Sequence, residues 1–101
     1  MNFTILVSDD AENDLDESFL WYEGQSYGLG EKFIHYINDG LSFIRTNPKS
    51  SSEVFMGIVR KHIIEKFPFA IYYILNEPEK RIEIIAILHF KRGENIWKGR
   101  I

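Results

Sequence analysis

The sequence predicts an α+β domain in which a helical hairpin packs on a mostly antiparallel sheet, with the element order β-α-α-β-β-β. Two patterns predict it. Apolar residues recur at helical spacing in the first half of the 101-residue chain, and short β-branched and aromatic runs separated by turns fill the second half. At this length we expect a single domain, residues 1–101, with its own apolar core. The absence of cysteine excludes disulfides, zinc–thiolate sites and thiol nucleophiles.

The first half of the chain is typical of a strand followed by two amphipathic helices. The run Phe3 to Val7 predicts the strand, and Ser8 is a candidate N-terminal cap for the next helix. Glycines between Gly24 and Gly30 separate the two helices, and Pro48 ends the second. The apolar stripes that these helices must bury are Ala11, Leu15, Phe19 and Tyr22 in the first and Ile34, Ile37, Leu41 and Ile44 in the second.

The second half predicts the three-stranded sheet on which the hairpin packs. Val54 to Lys66 can form one strand or two, Phe69 to Asn76 forms another, and Arg81 to Phe90 forms the last. The last strand is apolar on both faces, as in a central strand that is covered on both sides. Simple alternation places its side chains as follows: Ile82, Ile84, Ala86 and Leu88 on one face, Ile85 and Ile87 on the other.

The net charge of −3 conceals an uneven distribution along the chain. Residues 1–31 hold eight acidic residues and no Lys or Arg, whereas the remainder holds all twelve basic residues and seven acidic ones, a net of +5. The basic end can therefore face an anion although the whole chain is acidic. No apolar run approaches the roughly 20 residues that span a bilayer, and no signal sequence is present, so we expect a cytoplasmic protein without membrane association.

The acidic residues of the first helix do not predict a metal site. Asp10, Asp14 and Glu17 share helical spacing, but no histidine lies within the same turns. We interpret them as an exposed, solubilising face. The sequence also contains no Gly-rich phosphate loop after a strand and no H-E-x-x-H motif, so we expect neither a metal nor a cofactor.

The candidate functional residues lie toward the C-terminus. His89 ends the most buried strand, where an imidazole can approach a phosphate or act as an acid or base. Trp97 lies among basic residues and can either stack on a base or dock the terminal segment on the sheet. Arg60 and Lys61, which are charged residues within the strand region Val54 to Lys66, are further candidates. The full set of expected target-binding residues is Arg60, Lys61, His89, Lys91, Arg92, Trp97, Lys98 and Arg100.

Several motifs occur together in one order along nearly the whole chain. They are Asp14-Leu15, the helix end Asn47-Pro48, the strand Lys66-Phe67-Pro68-Phe69-Ala70-Ile71-Tyr72-Tyr73, and Ile85 to Arg92 with Trp97 and Arg100. This set resembles the RelE/ParE superfamily of type II toxin–antitoxin toxins, most closely its ParE-like, plasmid-stabilisation branch. The resemblance implies a growth-inhibiting toxin that a cognate antitoxin neutralises, present as a homodimer or as a toxin–antitoxin hetero-oligomer.

The two branches of this superfamily imply different targets. ParE-like members are associated with inhibition of DNA gyrase, whereas RelE-like members cut mRNA on the ribosome. The ribonuclease pattern has an Arg where Ala70 stands and a Tyr where Trp97 stands, which leaves Arg60, His89 and Arg92 as the catalytic residues of a ribonuclease. The acidic net charge also favours a protein target over the ribosome and mRNA. We therefore expect a non-enzymatic toxin; the alternatives are an endoribonuclease and an inactive family member that acts as a binding module.

Overall fold

The computed structural model describes residues 3–101, apart from the side chain of Glu94. Strand β1 (Thr4–Val7) leads into helices α1 (Asp9–Gln25) and α2 (Leu29–Thr46). Four strands follow: β2 (Ser52–Phe55), β3 (Val59–Ile63), β4 (Phe69–Asn76) and β5 (Arg81–His89). A 3-10 turn (Phe90–Arg92) then leads to the short helix α3 (Gly93–Lys98), which was not predicted from the sequence. None of the helices in this described range is both long and apolar enough to cross a bilayer.

The strands form a five-stranded sheet in the order β1-β5-β4-β3-β2. Adjacent strands from β2 to β5 pair antiparallel with one another. Strand β1 pairs in parallel with the other edge of β5, because the chain crosses over through the two helices. The predicted α+β class is confirmed. The predicted number of strands after the helices, three, is wrong, because four strands follow them. The region from Val54 to Lys66 forms two strands because the chain turns at Met56 and Gly57, which both adopt left-handed backbone angles.

The helical hairpin covers one face of the sheet. Its turn is fixed by Glu23, whose carboxylate accepts hydrogen bonds from the N–H groups of Gly28 and Gly30, both at 2.9 Å. The buried stripe of α2 is rotated from the predicted one. Gly40 is buried where Leu41 was expected, because the absence of a side chain lets α2 approach Ile71 closely; a Cβ on Gly40 would lie 3.0 Å from the Ile71 Cδ1.

Strand β5 contains a bulge that overturns the predicted alternation of its side chains. Tyr72 pairs with Ala86 and Tyr73 pairs with Ile84, so Ile85 is an extra residue on β5. The side chains therefore change phase at this point. Ile82, Ile84 and Ile87 face the helices, whereas Ile85, Ala86 and Leu88 face the opposite side of the sheet, where α3 packs.

Candidate functional site

A cleft of about 470 Å³ opens between the second half of α1 and the end of β5. Aromatic side chains form its wall, and basic side chains from the chain just after β5 lie along one rim. We call it the α1 cleft, and it is lined by Glu17, Ser18, Trp21, Tyr22, Phe69, His89, Lys91 and Arg92. Three residues predicted from the sequence, His89, Lys91 and Arg92, are therefore brought together.

The antiparallel pairing of β4 and β5 positions His89 in this cleft. Phe69 and His89 are directly opposed in register, and their rings pack edge to face with centroids 5.4 Å apart. The backbone N–H of Lys91 donates a hydrogen bond of 3.1 Å to Nδ1 of His89. Neutral His89 consequently carries its proton on Nε2. The imidazole is thus held in one orientation, with a defined donor nitrogen.

Trp21 is a candidate functional residue of this cleft that was not predicted from the sequence. Its side chain is 60% exposed although it packs edge to face on Tyr22, with ring centroids 5.1 Å apart. Burial raises the pKa of the Tyr22 hydroxyl. The signal was present in the run Leu20-Trp21-Tyr22, because three large apolar residues in succession on a helix cannot all face one core. An exposed Trp beside a cleft is typical of a binding surface.

Lys61, Trp97 and Lys98 lie on the opposite face of the sheet. Trp97 is buried and stacks on Tyr72, with ring centroids 5.7 Å apart. Of the two alternatives for Trp97, the structure therefore has the one in which it docks the terminal segment. Lys61 and Trp97 line a separate pocket of about 290 Å³, and the Lys98 Nζ lies 5.8 Å from the centroid of the Trp97 ring.

Arg60 is held by the loop that follows α2 and lies apart from the α1 cleft. Its guanidinium donates to the carbonyls of Lys49 and Ser51, at 3.1 and 2.8 Å, and to the Glu53 carboxylate, at 3.0 Å. Arg60 pairs with Tyr73, whereas His89 pairs with Phe69, four residues away on β4. This separation along the strand is about 13 Å. The three residues expected of a ribonuclease are thus not assembled at one point.

Arg100 is committed to Asp14 and is not free to face a target. Its guanidinium makes two hydrogen bonds to the Asp14 carboxylate, and these bonds raise the pKa of Arg100 above its ordinary value. The interpretation of Asp14 as part of an exposed acidic face is wrong, because its side chain is 5% exposed. Within residues 3–101, Glu94 side chain aside, we find no cluster of three His, Asp or Glu that could hold a metal ion.

The folded chain is similar to solved structures of proteins from toxin–antitoxin systems. It matches a chain of the chromosomal ParDE toxin–antitoxin system from P. aeruginosa with a TM-score of 0.72 and 20% identity, over 86% of this chain and 95% of that one. It matches a double mutant of the E. coli toxin RelE in the free state with a TM-score of 0.64 and 10% identity, over 99% of this chain and 94% of that one. No family model and no curated protein matches the chain. The predicted RelE/ParE-like fold is thus confirmed.

Proposed function

We propose that this protein, which has the RelE/ParE fold, is the toxin of a type II toxin–antitoxin pair and inhibits growth through contacts with a protein target in the cytoplasm. The observation that carries the proposal is the α1 cleft, in which the exposed Trp21 lies beside His89, Lys91 and Arg92. Trp, Tyr and Arg side chains in one recess are typical of the central residues of protein interfaces.

The charge around the α1 cleft favours a protein target over a nucleic acid. Glu17 lines the cleft, and the exposed residues Glu12 and Asp16 lie on the same helix, which holds no Lys or Arg. The exposed acidic side chains of α1 repel a polyanion, whereas an RNA-binding site needs basic residues along the whole path of the backbone. We therefore propose DNA gyrase, the target associated with ParE-like toxins, as the first target to test.

Ribosome-dependent cleavage of mRNA is the second candidate function. One observation favours it: His89 is oriented with its proton on Nε2 and shares the cleft with Lys91 and Arg92. An imidazole can transfer the proton in cleavage by a 2′-hydroxyl, and two cations can offset the charge that develops on phosphorus. Arg60 would have to act from elsewhere, because its guanidinium is bound to the loop after α2.

Growth after induction tests whether the protein is a toxin. We expect wild-type expression to arrest growth, and we expect the product of the adjacent reading frame, co-expressed as the antitoxin, to restore it. The variants Trp21→Ala and Arg92→Ala should relieve the arrest. Two matched controls should not relieve the arrest. They are Leu20→Ala, at the exposed position just before Trp21 on α1, and Arg45→Ala, in the last turn of α2. Normal growth of cells that accumulate the wild-type protein would refute the proposal.

Two assays then separate the targets. A gyrase inhibitor alters DNA supercoiling by purified gyrase at saturating toxin concentration, and the Arg92→Ala variant loses this effect. A ribonuclease instead produces new 5′ ends in translated mRNA, seen by primer extension, and His89→Ala removes them. Cleaved transcripts together with unchanged supercoiling would replace the first proposal with the second.

A further inference from the structure

The outer edge of strand β1 lacks the usual protection against pairing with another strand. Within residues 3–101, β1 forms one end of the sheet and pairs with β5 on its inner side. Its sequence, Thr-Ile-Leu-Val, contains no charged residue and no proline. Edge strands are usually protected by a charge, a proline or a bulge, because their outward N–H and C=O groups otherwise pair with another chain. The strand β2, at the other end of the sheet, has both Glu53 and a register shift.

The backbone groups of Ile5 and Val7 point to this outer edge. The N–H groups of Thr4 and Ser8 donate to carbonyls on the β5 side, at 2.8 and 3.0 Å. Because the direction of hydrogen bonding alternates along a strand, the N–H and C=O groups of residues 5 and 7 face away from β5. The side chains of Ile5 and Val7 pack toward the helices, which leaves Leu6 on the opposite face with 47% of its side chain exposed.

We infer that β1 pairs antiparallel with β1 of a second copy of this chain, around a two-fold axis at Leu6. Leu6 of each copy then lies opposite Leu6 of the other in a non-hydrogen-bonded pair, in which the Cα atoms approach to about 4.5 Å. Ile5 exchanges its outward backbone hydrogen bonds with Val7 of the second copy. The two five-stranded sheets become one continuous sheet, with both helical hairpins on the same side. This dimer does not depend on the proposed function.

Charge at the two ends of β1 favours a second copy in this antiparallel direction. Lys80 lies beside the start of the strand, with its Nζ 5.6 Å from the centroid of the Phe3 ring. Asp9 and Asp10 follow the end of the strand, in the first turn of α1. Asp10 is 3.8 Å from Arg100, whereas Asp9 is exposed. In the dimer, Asp9 of one copy lies opposite Phe3 of the other and so approaches its Lys80, and the two-fold axis repeats this contact.

The other charged groups along this edge do not oppose the pairing. Arg81 and Glu79 form an ion pair next to Lys80, so this corner keeps the positive charge of Lys80. Glu83 lies beside Leu6 on β5. In the dimer the two copies of Glu83 are separated by both β1 strands, roughly 14 Å. This separation exceeds the Debye length of about 8 Å at physiological ionic strength, so their repulsion is largely screened.

Sedimentation equilibrium of the purified full-length protein tests the dimer. We expect two copies to associate between low micromolar and near-millimolar concentration, because a short strand pair forms a small interface. Leu6→Lys brings two like charges together at the axis and should raise the dimer Kd by about tenfold or more. The matched control is Ile58→Lys, in the turn between β2 and β3. Ile58 is 43% exposed, and this change should alter the Kd by less than about twofold.

Exchange of charge tests the contact between the copies. Lys80→Glu and Asp9→Lys should each weaken the dimer several-fold, with a smaller loss at high salt. An equimolar mixture of the two variants should restore it, because each mixed dimer contains one native and one reversed ion pair. Within one copy these residues lie at opposite ends of β1, roughly 13 Å apart along the strand, so the restoration requires two chains. Arg45→Glu and Asp16→Lys, at exposed positions on the helices, are the controls and should have little effect.

A disulfide between the copies tests the register. The chain contains no cysteine, so Leu6→Cys introduces a single thiol in each copy. The expected Cα separation of about 4.5 Å lies within the range that a disulfide spans. Mild oxidation should therefore link two copies of Leu6→Cys, and it should not link Ile58→Cys at the same protein concentration.

The outcomes separate this dimer from the proposed function, which growth after induction decides. A wild-type protein that is monomeric at every concentration refutes the dimer, whether or not it is toxic. A dimer that persists in Leu6→Lys, or a mixture of the charge variants that stays as weak as its components, refutes pairing through β1. If the wild-type protein is monomeric and Leu6→Lys loses binding to the product of the adjacent reading frame, β1 pairs with that product and not with a second copy. Circular dichroism and thermal unfolding check that every variant retains the fold.

Discussion

Asp14 and Arg100, 86 residues apart in the chain, form a two-bond ion pair at the edge of strand β5, with N–O distances of 2.6 and 3.0 Å. Strand β1 ends at Val7, opposite Ile84, so the bulged part of β5 has no strand on that side. The ion pair takes the place of a strand there. The Ile87 N–H donates to Asp14 and the Ile85 carbonyl accepts from Arg100, both at 3.0 Å. The acidic N-terminal and basic C-terminal parts of the chain therefore meet at this point.

Removal of the Asp14 carboxylate should destabilise the fold. Asp14→Ala removes the carboxylate that pairs with the Arg100 guanidinium and accepts from the Ile87 N–H, which costs about 2–4 kcal/mol in the free energy of unfolding. Asp14→Asn keeps an acceptor for the N–H and should cost less. Urea unfolding measures both changes, and Asp16→Ala, an exposed position on the same helix, should change stability by less than about 0.5 kcal/mol. Equal effects at Asp14 and Asp16 would contradict this role.

A methyl group on Gly93 should disturb the packing of α3 on the sheet. A Cβ at this position would overlap the hydroxyl of Tyr72, which is held by its stacking on Trp97. Gly93→Ala should therefore cost about 1–3 kcal/mol. In a Trp21→Phe background, the fluorescence of Trp97 should shift to longer wavelength as the indole becomes exposed.

The control for Gly93 is Gly99→Ala, whose Cβ would lie 3.6 Å from its nearest neighbour and should be tolerated. The double variant Gly93→Ala/Tyr72→Phe should lose less stability than the sum of the single variants, because removal of the hydroxyl makes room for the methyl group. Strict additivity would place the cause of the destabilisation elsewhere.

Replacement of Arg60 should lower the free energy of unfolding. Its side chain holds the loop between α2 and β2 through two carbonyls and Glu53. Arg60→Lys loses the planar fork that reaches all three acceptors, so we expect a cost of about 1–2 kcal/mol by thermal or urea unfolding. The same change at Arg45, which is exposed, should be nearly neutral. A variant that folds as stably as wild type but loses target binding would show that Arg60 belongs to the binding surface.

Stability should fall as the pH decreases through the range in which His62 titrates. Burial lowers the pKa of His62 below its ordinary value of 6.5, so the unfolded chain binds a proton that the folded one resists. The stability that neutral His62 allows is fully present above about pH 6.5, and it is lost as the pH falls toward the folded-state pKa of His62. Unfolding measured from about pH 7.5 to 5 should show a smaller decline for His62→Gln than for wild type.

Most of the fold could be predicted from local patterns. Helical periodicity placed α1 and α2, and β-branched runs placed β4 and β5, because these segments are long enough to show a repeat. The bulge at Ile85 and the short helix α3 could not be predicted, since neither has a periodic signal. Both depend on contacts from distant residues, namely Asp14 and Arg100 at the bulge and Tyr72 against Gly93 at the helix.

The candidate site was predicted only in part, again because some of its features depend on contacts from residues distant in the chain. The sequence by itself determined the two-layer α+β class, the uneven charge and the presence of His89, Lys91 and Arg92 at the end of the last strand, because composition and local periodicity fix these features. The tertiary structure decided which charged side chains are paired within the fold and which line the cleft. Arg60 and Arg100 find partners in the fold, whereas Lys91 and Arg92 line a cleft beside Trp21. Pairing between residues far apart in the chain depends on how the layers pack, and no local pattern records it.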